Sequence, residues 1–311
     1  MSQSQSPPAS ADLEDLVTLR DWLRYATSRF TEARLVFGHG TETPLDEAAF
    51  LILTALNLPI DQLEPWLEAR LTRAERARIA SLIDARITTR KPAPYLVNAA
   101  WIKGHRFYTD ERVIVPRSYI GELLSEDSLS AVVADPEGVT RVLDLCTGSG
   151  CLAILAALAF PNATVDAVDI SPDALEVAKR NVADYGLGDR VALHKSDLFS
   201  ALGDRAYDLV ISNPPYVTAA AVAAFPPEHR AEPELAHLGG EDGLDLVRRI
   251  LSGASAHLEP WGTIVVEVGQ AREALETEYP DLPFLWLDTE QSEGELFALT
   301  ADAVRSLRKR R

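Results

Sequence analysis

From Val142 to the C-terminus, short apolar runs alternate with helical patterns, and this alternation limits the possible folds more than any other feature. Runs typical of strands occupy residues 142–145, 164–168, 191–194, 210–212, 261–268, 284–287 and 296–300. Helical patterns occupy residues 151–158, 171–185, 244–258 and about 273–279. Strands that alternate with helices are the sequence form of a parallel sheet with crossover helices. The sequence therefore predicts an α/β fold with a Rossmann-like sheet.

The N-terminal part of the chain has a purely helical pattern. Apolar residues recur at helical spacing between Leu13 and Arg34. A second helix is predicted to start at Thr43, directly before a proline, and a third at Thr72, where Glu75 completes a capping box. We therefore expect a small helical domain over residues 12–90, without chemistry of its own.

A linking segment follows the helices. Its two prolines, in Lys91–Tyr95, end the third helix. Two strands, Ala100–Tyr108 and Arg112–Val115, are predicted to form a hairpin around the turn Thr109–Glu111. The predicted organisation is a disordered tail at 1–11, the helical domain at 12–90, a linking β-hairpin at 91–116 and the α/β domain at 117–311.

The composition is that of an acidic, soluble globular protein. Of the 311 residues, 47% are hydrophobic and 25% are charged, and the formal net charge is −17. Such a charge disfavours direct binding of nucleic acid and suits a basic protein as partner. The N-terminus does not resemble a signal peptide, and no apolar run is long enough to span a bilayer. We therefore expect a cytoplasmic protein.

The two cysteines, Cys146 and Cys151, lie in one short segment. They form neither a Cys-x-x-Cys pair nor a second cluster, so no metal site is predicted. A disulfide framework is equally disfavoured, which indicates a reducing compartment.

The stretch Asp208–Tyr216 joins an apolar strand to a rigid turn. Pro215 fixes its own φ and holds Pro214 in an extended conformation, and neither proline has an N–H to donate. The carbonyl of Pro214 is therefore expected to be a free acceptor beside the amide of Asn213 and the ring of Tyr216. Two acceptors and an aromatic face can hold a planar group that carries an NH2.

This turn matches the Asn-Pro-Pro-Tyr motif of methyltransferases that modify amino nitrogens conjugated to a π-system. The motif alone leaves two substrates open, which are adenine in nucleic acid and the side-chain amide of glutamine. A Pro-Pro turn that only ends a strand is the less favoured interpretation, because an asparagine precedes it and an aromatic residue follows it.

A glycine-containing loop, Asp144–Gly150, follows the first predicted strand of the sheet and opens a helix. Asp169 ends the next strand, 21 residues after Gly148, and Asp197 closes the one after that. Ligands of open α/β sheets bind at the carboxyl ends of the strands. Because the first and fourth strands are neighbours in a doubly wound sheet, the glycine loop and the Asn213 turn should meet in one crevice.

Two cofactors compete for this loop. Gly148, Gly150 and Ala153 satisfy the relaxed fingerprint of nicotinamide dinucleotides. Asp144, however, would be an unpaired negative charge beside a pyrophosphate, whereas it suits an ammonium group. Nothing downstream resembles a hydride-transfer site, so the hypothesis of a nicotinamide-dependent oxidoreductase is less favoured. A non-catalytic scaffold is also less favoured, because the Asn-Pro-Pro-Tyr turn is intact.

S-adenosylmethionine fits the acidic strand ends better. Its amino group is predicted to pair with Asp144 directly or through water, its ribose with Asp169, and its adenine with Asp197 and Leu198. The expected product is S-adenosylhomocysteine.

Together these motifs resemble the protein-(glutamine-N5) methyltransferase family from about Asp12 onward. Stretches that are similar to the branch acting on large-subunit ribosomal protein number three are Phe107–Ser118, with Ile120, Glu122 and Leu123 after it, Leu143–Cys151, Glu232–Leu235 and Gly240–Leu244. Tyr119 and Gly121 depart from that branch, which usually has proline and alanine there.

The resemblance implies a class I methyltransferase sheet and methylation of a glutamine side-chain amide, with ribosomal protein number three as the expected substrate. A release-factor glutamine methyltransferase and an adenine-amino methyltransferase remain alternatives. The predicted catalytic residues are Asn213, Pro214 and Tyr216, and Pro215 joins them in binding the substrate. For Arg117 and Glu122 the resemblance suggests a position at the substrate entrance, and a surface role without contact to the substrate is the alternative.

The predicted cofactor contacts, from the residues and the resemblance together, are Asp144, Cys146, Thr147, Gly148, Ser149, Gly150, Asp169, Asp197, Leu198 and Asn213. We expect direct in-line transfer without a titratable base near the nitrogen, because positioning and electrostatics can supply most of the acceleration. The protein is expected to act as a monomer.

Overall fold

The computed structural model describes residues 13–125, 132–133 and 135–308. The predicted tail at residues 1–11 lies outside these residues. The chain divides into two compact units: the residues up to Val97 together with Pro226–Ala231, and Asn98–Phe225 together with the residues from Glu232 onward. The domain boundaries proposed after residues 90 and 116 remain a prediction.

In the described part of the first unit, four α-helices surround an apolar core that includes the buried side chains of Trp22, Phe30 and Leu51. They are α1 (Leu19–Glu32), α2 (Pro44–Ala55), α3 (Arg73–Thr89) and α4 (Ala93–Val97).

The helix starts follow from their caps. Thr43 and Thr72 cap α2 and α3 as predicted, and Glu75 closes the capping box of α3. A further capping box, formed by Thr18 and Asp21, was not predicted from the sequence. It makes α1 begin later than the apolar spacing suggests, because the side chain of Thr18 satisfies a first-turn N–H group.

Buried ion pairs lie within the helical unit. The guanidinium of Arg86 donates to Glu47 at 2.7 Å, and both side chains are 0% exposed. Glu228, from the Pro226–Ala231 segment, accepts from Arg90 at 2.7 Å. Removing one partner of such a pair destabilises a fold strongly, because a buried charge is left uncompensated.

The second unit begins with a short antiparallel hairpin, β1 (Ala100–Ile102) and β2 (His105–Phe107). Lys103 and Gly104 form its two-residue turn, and both have a positive φ, of 43° and 81°. Positive φ at both positions matches the twist of the flanking strands.

The prediction of a hairpin around Thr109–Glu111 is therefore wrong in its turn and in its second strand. Arg112–Val115 forms no strand. Instead, the carboxylate of Asp110 accepts the N–H of Arg112 at 3.1 Å and the Nη2 of its guanidinium at 2.7 Å. These local bonds favour a compact turn over strand pairing.

Within the described residues, seven strands form the main sheet, in the order β5-β4-β3-β6-β7-β9-β8. They are β3 (Arg141–Leu145), β4 (Thr164–Asp169), β5 (Val191–Lys195), β6 (Tyr207–Ser212), β7 (Leu258–Glu267), β8 (Leu285–Leu287) and β9 (Leu296–Thr300). β9 runs antiparallel to both β7 and β8, and the other strand pairs described in this sheet are parallel. This mostly parallel sheet confirms the predicted α/β class.

Helices pack on both faces of the sheet. They are α5 (Tyr119–Ser125), α6 (Cys151–Ala159), α7 (Pro172–Asp184), α9 (Asp245–Ala254), α10 (Arg272–Glu278) and α11 (Ala301–Arg308), whereas the short helix α8 (Ala219–Ala223) buries none of its side chains. Val142 of β3 joins the core that contains α6, whereas Leu143 and Leu145 join the core that contains α9 and α11. None of the helices in the described ranges is both long and apolar enough to cross a membrane.

The strand register decides where the loops leave the sheet. Leu145, the last residue of β3, pairs with Val168 of β4 and with Ser212 of β6. The residues that follow these three positions, among them Asp169 and Asn213, therefore emerge at one edge.

Candidate active site

A cavity of 310 Å³ opens at the carboxyl ends of β3, β4 and β6. Its size falls in the range of small-molecule sites, and apolar residues such as Ile170 and Leu238 form much of its wall. The residues predicted for the site that line this cavity are Cys146, Gly148, Asp169, Asp197, Leu198, Asn213 and Pro215.

The glycine loop folds back onto the end of β4. Cys146, Gly148 and Gly150 all have a positive φ, of 61°, 54° and 80°. The N–H of Thr147 donates to the carbonyl of Val168 at 3.0 Å. This conformation presents backbone rather than side chain to the cavity at Gly148, where a ligand can approach closely.

Asp169 holds the loop in place and also faces the cavity. One carboxylate oxygen accepts the N–H of Gly148 at 2.9 Å, and the other accepts the N–H of Ser171 at 2.9 Å. Burial raises the pKa of this carboxyl above its usual value, while the backbone bonds oppose that shift. Each oxygen keeps a lone pair that can accept a hydroxyl.

Asp144 lies behind the cavity wall. Its side chain is 0% exposed, and its Oδ2 accepts the hydroxyl of Thr147 at 2.5 Å. Burial raises the pKa of Asp144 to about 7. Asp144 is not among the residues that line the cavity. A contact with the cofactor amino group, directly or through water, therefore remains a prediction.

Thr147, Ser149 and Gly150 also lie behind the surface of the cavity. The carbonyl of Ser149 accepts the side-chain amide of Asn181 at 2.9 Å. A Cβ at Gly150 would approach the Cβ of Ala178 to 3.1 Å, so this glycine allows α6 and α7 to pack closely. The predicted cofactor contacts of these three residues remain untested.

Asp197 and Leu198 form another part of the wall. The carboxylate of Asp197 accepts the guanidinium of Arg249, on α9, at 2.7 and 2.8 Å, a pairing that the sequence did not indicate. Leu198 has a positive φ of 49° and is largely buried, yet it lines the cavity.

The amide of Asn213 has a defined orientation. Its Nδ2 donates to the carbonyl of Arg117 at 3.2 Å. Because the NH2 group is bound there, Oδ1 is left as an acceptor for a ligand. Asn213 lines the same cavity as Gly148 and Asp169.

The rest of the turn lies around this amide. Among the described residues, none donates a hydrogen bond to the carbonyl of Pro214, and its role as an acceptor remains a prediction. The hydroxyl of Tyr216 donates to Glu267 at 3.1 Å, and a Cβ at Gly269 would meet its ring at 2.8 Å. Neither Pro214 nor Tyr216 lines the cavity, so their contacts with a substrate remain predictions.

Two buried carboxylates beside the turn were not predicted as site residues. Glu232 accepts both Nη atoms of Arg117, at 2.6 and 2.8 Å, and Glu267 accepts the hydroxyl of Ser118 at 2.7 Å. From the sequence, Glu232 and Arg117 were singled out only because they match motifs of the resembled family. Their partners are more than a hundred residues away in the chain, so no local pattern could indicate these bonds.

The site has the groups that a methyl-donating nucleoside requires. A partly buried carboxylate at Asp169 can accept ribose hydroxyls, and the backbone at Gly148 permits close approach. Apolar side chains at Ile170, Leu198 and Leu238 can pack against a flat base. The residues of the cavity therefore fit S-adenosylmethionine.

Comparison with known proteins also indicates a methyltransferase. The family model "Methyltransferase small domain" matches residues 129–225, which include the glycine loop and the Asn213 turn. The ribosomal protein uL3 glutamine methyltransferase of Bradyrhizobium diazoefficiens is 59% identical over 292 residues, covering 92% of this chain and 92% of that protein. The protein of the same name from Bordetella pertussis is 54% identical over 291 residues, covering 94% of this chain and 97% of that protein.

A solved structure shares the fold. The catalytic domain of hMettl16, in complex with MAT2A 3′UTR hairpin 6, superposes with a TM-score of 0.50. It is 15% identical, and the match covers 74% of this chain and 82% of that chain. At this identity the likeness concerns the fold alone.

Proposed function

The chain belongs to the family of ribosomal protein uL3 glutamine methyltransferases, and from this premise we propose that its substrate is a glutamine side chain of ribosomal protein uL3. It is an S-adenosylmethionine-dependent methyltransferase. The nicotinamide, release-factor and adenine alternatives are not favoured by this membership. The formal net charge of −17 also supports a basic protein substrate over nucleic acid.

One observation carries the proposed chemistry. Asn213 and Gly148 line a single cavity, because β3 and β6 are adjacent and parallel and end at the same edge. An acceptor amide and a cofactor loop are thus within reach of one another. Had the turn and the loop been at opposite edges of the sheet, transfer between them would have been impossible.

Residues of the cavity would hold the cofactor as follows. Asp169 would accept the ribose hydroxyls, and Leu198 would pack against the adenine. Asp197 would accept the adenine amino group while its carboxylate keeps its bonds with Arg249. S-adenosylmethionine would supply an electrophilic methyl group on a sulfonium. The amide nitrogen of the substrate would attack this methyl carbon in line, and S-adenosylhomocysteine would be the leaving group.

The turn would prepare that nitrogen. An amide nitrogen is a poor nucleophile because its lone pair is delocalised into the carbonyl. Oδ1 of Asn213 and the carbonyl of Pro214 would each accept one N–H of the glutamine, which favours electron density on nitrogen and fixes its direction. As the N–C bond forms and the C–S bond breaks, the nitrogen loses one proton to solvent. Tyr216 and Pro215 would border the amide plane.

The test is an assay with radiolabelled S-adenosylmethionine in which uL3, a release factor and DNA are offered in parallel. We expect label in uL3 alone. Asn213→Ala should lower kcat at least ~100-fold, because one of two oriented acceptors is lost, and should leave cofactor affinity within a small factor.

A matched control is available in Asn162→Ala. Asn162 is exposed, and its side-chain amide also donates to a backbone carbonyl, that of Glu137, at 3.1 Å. It does not line the cavity, so its loss should leave kcat unchanged. Wild-type turnover by Asn213→Ala, or label in DNA, would contradict the proposed function.

We also propose that the enzyme works as a monomer in the cytoplasm, where ribosomal proteins are synthesised.

A further inference from the structure

A short segment, Val115–Tyr119, is bound by two buried carboxylates. Glu232, whose side chain is 0% exposed, accepts the N–H of Val115 at 2.8 Å and the guanidinium of Arg117 at 2.6 and 2.8 Å. Glu267, which is 2% exposed, accepts the hydroxyl of Ser118 at 2.7 Å and the N–H of Tyr119 at 3.1 Å. The whole segment is therefore fixed against β7 and the loop that contains Glu232.

The same two carboxylates reach both ends of the Asn-Pro-Pro-Tyr turn. The carbonyl of Arg117 accepts the Nδ2 of Asn213 at 3.2 Å, so the Glu232–Arg117 ion pair fixes the residue that orients the asparagine. Glu267 accepts the hydroxyl of Tyr216 at 3.1 Å through its second oxygen. Bidentate pairing of an arginine adds geometric restraint as well as energy.

We propose that Glu232 and Glu267 are positioning residues for the reaction, which hold the asparagine and the tyrosine of the turn in register for the substrate amide. This inference deepens the proposed function and rests on it. Both carboxylates are buried and neither lines the cavity, so we expect them to act through the turn and not on the substrate directly.

At the asparagine end of the turn, binding of the substrate depends on the orientation of the Asn213 side-chain amide. If the amide of Asn213 rotated by half a turn, it would present its NH2 group to the NH2 group of the glutamine, and two donors would face each other. The carbonyl of Arg117 prevents this, and Glu232 holds Arg117. Glu232→Gln would place an amide NH2 against an N–H donor of Arg117 or Val115, and the restraint would be lost.

The tyrosine end depends on ionisation. In the described part of the chain, Ser118, Tyr119 and Tyr216 each donate a hydrogen bond to Glu267. Burial and, to a lesser extent, the negative charge of Glu295 raise the pKa of Glu267 to about 7, although the three hydrogen bonds oppose this shift. Below that pH the carboxyl is protonated and is itself a hydrogen-bond donor. It can then no longer accept all three hydrogen bonds, so one of the donors must move away. Activity should therefore fall as the pH decreases through about 7.

The experiment compares Glu232→Gln and Glu267→Gln with the wild type and with Glu47→Gln. Glu47 is an equally buried carboxylate paired with an arginine, but it lies in the helical unit. We expect kcat on uL3 to fall on the order of 100-fold for Glu232→Gln and about tenfold for Glu267→Gln. The affinity for S-adenosylmethionine, measured by calorimetry, should stay within about twofold. Glu47→Gln should lower Tm while keeping kcat.

Two further readouts separate positioning from general stability. The rise of kcat with pH should flatten in Glu267→Gln and persist in Glu232→Gln. The side-chain amide NMR signals of Asn213, identified by their absence in Asn213→Ala, should shift and exchange faster with water in Glu232→Gln.

The outcomes are distinct. Failure of the wild type to methylate uL3 would contradict the proposed function, and the NMR signals of Asn213 would still test its restraint by Glu232. Wild-type kcat in both variants, or losses of kcat that only follow Tm as in Glu47→Gln, would overturn the inference. Unchanged Asn213 signals in Glu232→Gln would overturn it as well.

Discussion

Asp169 shows how a single side chain can serve both the fold and the cofactor. Its carboxylate accepts two backbone N–H groups, from Gly148 and Ser171, and it also lines the cavity. The backbone bonds hold the carboxylate in one position before a ligand arrives. A ribose would then meet preoriented acceptors, which lowers the entropic cost of binding.

The first residue-scale prediction concerns Asp169→Ala. Removal of the carboxylate should weaken the binding of S-adenosylmethionine by about 10–100-fold, because hydrogen bonds to charged groups contribute ~1.5–3 kcal/mol. Isothermal titration calorimetry measures this change directly. Asp166→Ala is the control: Asp166 is on the same strand, pairs with His194 and Tyr207, and does not line the cavity. Equal losses of affinity in both variants would contradict the role of Asp169.

At the scale of elements, the glycine loop joins β3 to two closely packed helices. Gly150 precedes α6 with a φ of 80°, and an added Cβ would meet the Cβ and Cα of Ala178 on α7 at 3.1 and 3.3 Å. The close approach of α7 to the end of the loop therefore requires a residue without a side chain at position 150.

The second prediction compares Gly150→Ala with Gly186→Ala. Both residues have a positive φ, which costs an alanine about 1–2 kcal/mol, but a Cβ at Gly186 would meet nothing within 4 Å. Gly150→Ala should therefore lose more stability than Gly186→Ala in urea unfolding and should also bind S-adenosylmethionine more weakly. Equal free energies of unfolding for the two variants would show that the approach to Ala178 carries no cost.

At the scale of the whole molecule, charge favours a basic partner. The formal net charge is −17 over 311 residues. A ribosomal protein must neutralise RNA phosphates and therefore has a basic surface. Opposite net charges accelerate encounter, and dissolved salt screens this attraction.

The third prediction follows from this charge. The kcat/KM for uL3 should fall by about tenfold as NaCl is raised from ~0.05 to ~0.3 M, because steering of the encounter is screened. The kcat and the affinity for S-adenosylmethionine should change little. A short uncharged peptide with one glutamine is the control and should show a flat kcat/KM. A flat response with intact uL3 would rule out steering by net charge.

Features that depend on neighbouring residues were predictable from the sequence. The alternation after Val142 predicts the α/β sheet because period and length are local properties, and the caps at Thr43 and Thr72 follow for the same reason. The rigid turn after β6 is likewise local, since Pro214 and Pro215 restrict their own backbones.

Other features were decided by tertiary structure, because they depend on burial and on partners far apart in the chain. Asp144 ends a predicted strand, but only packing places it behind the cavity wall rather than on it. The hairpin turn lies at Lys103 and Gly104, both with a positive φ; the glycine was a local signal for this turn, but the strand pairing that selects it involves residues on both sides. Glu232 was determined as the partner of Arg117 by the fold alone, since an ion pair across more than a hundred residues leaves no periodic pattern in the sequence.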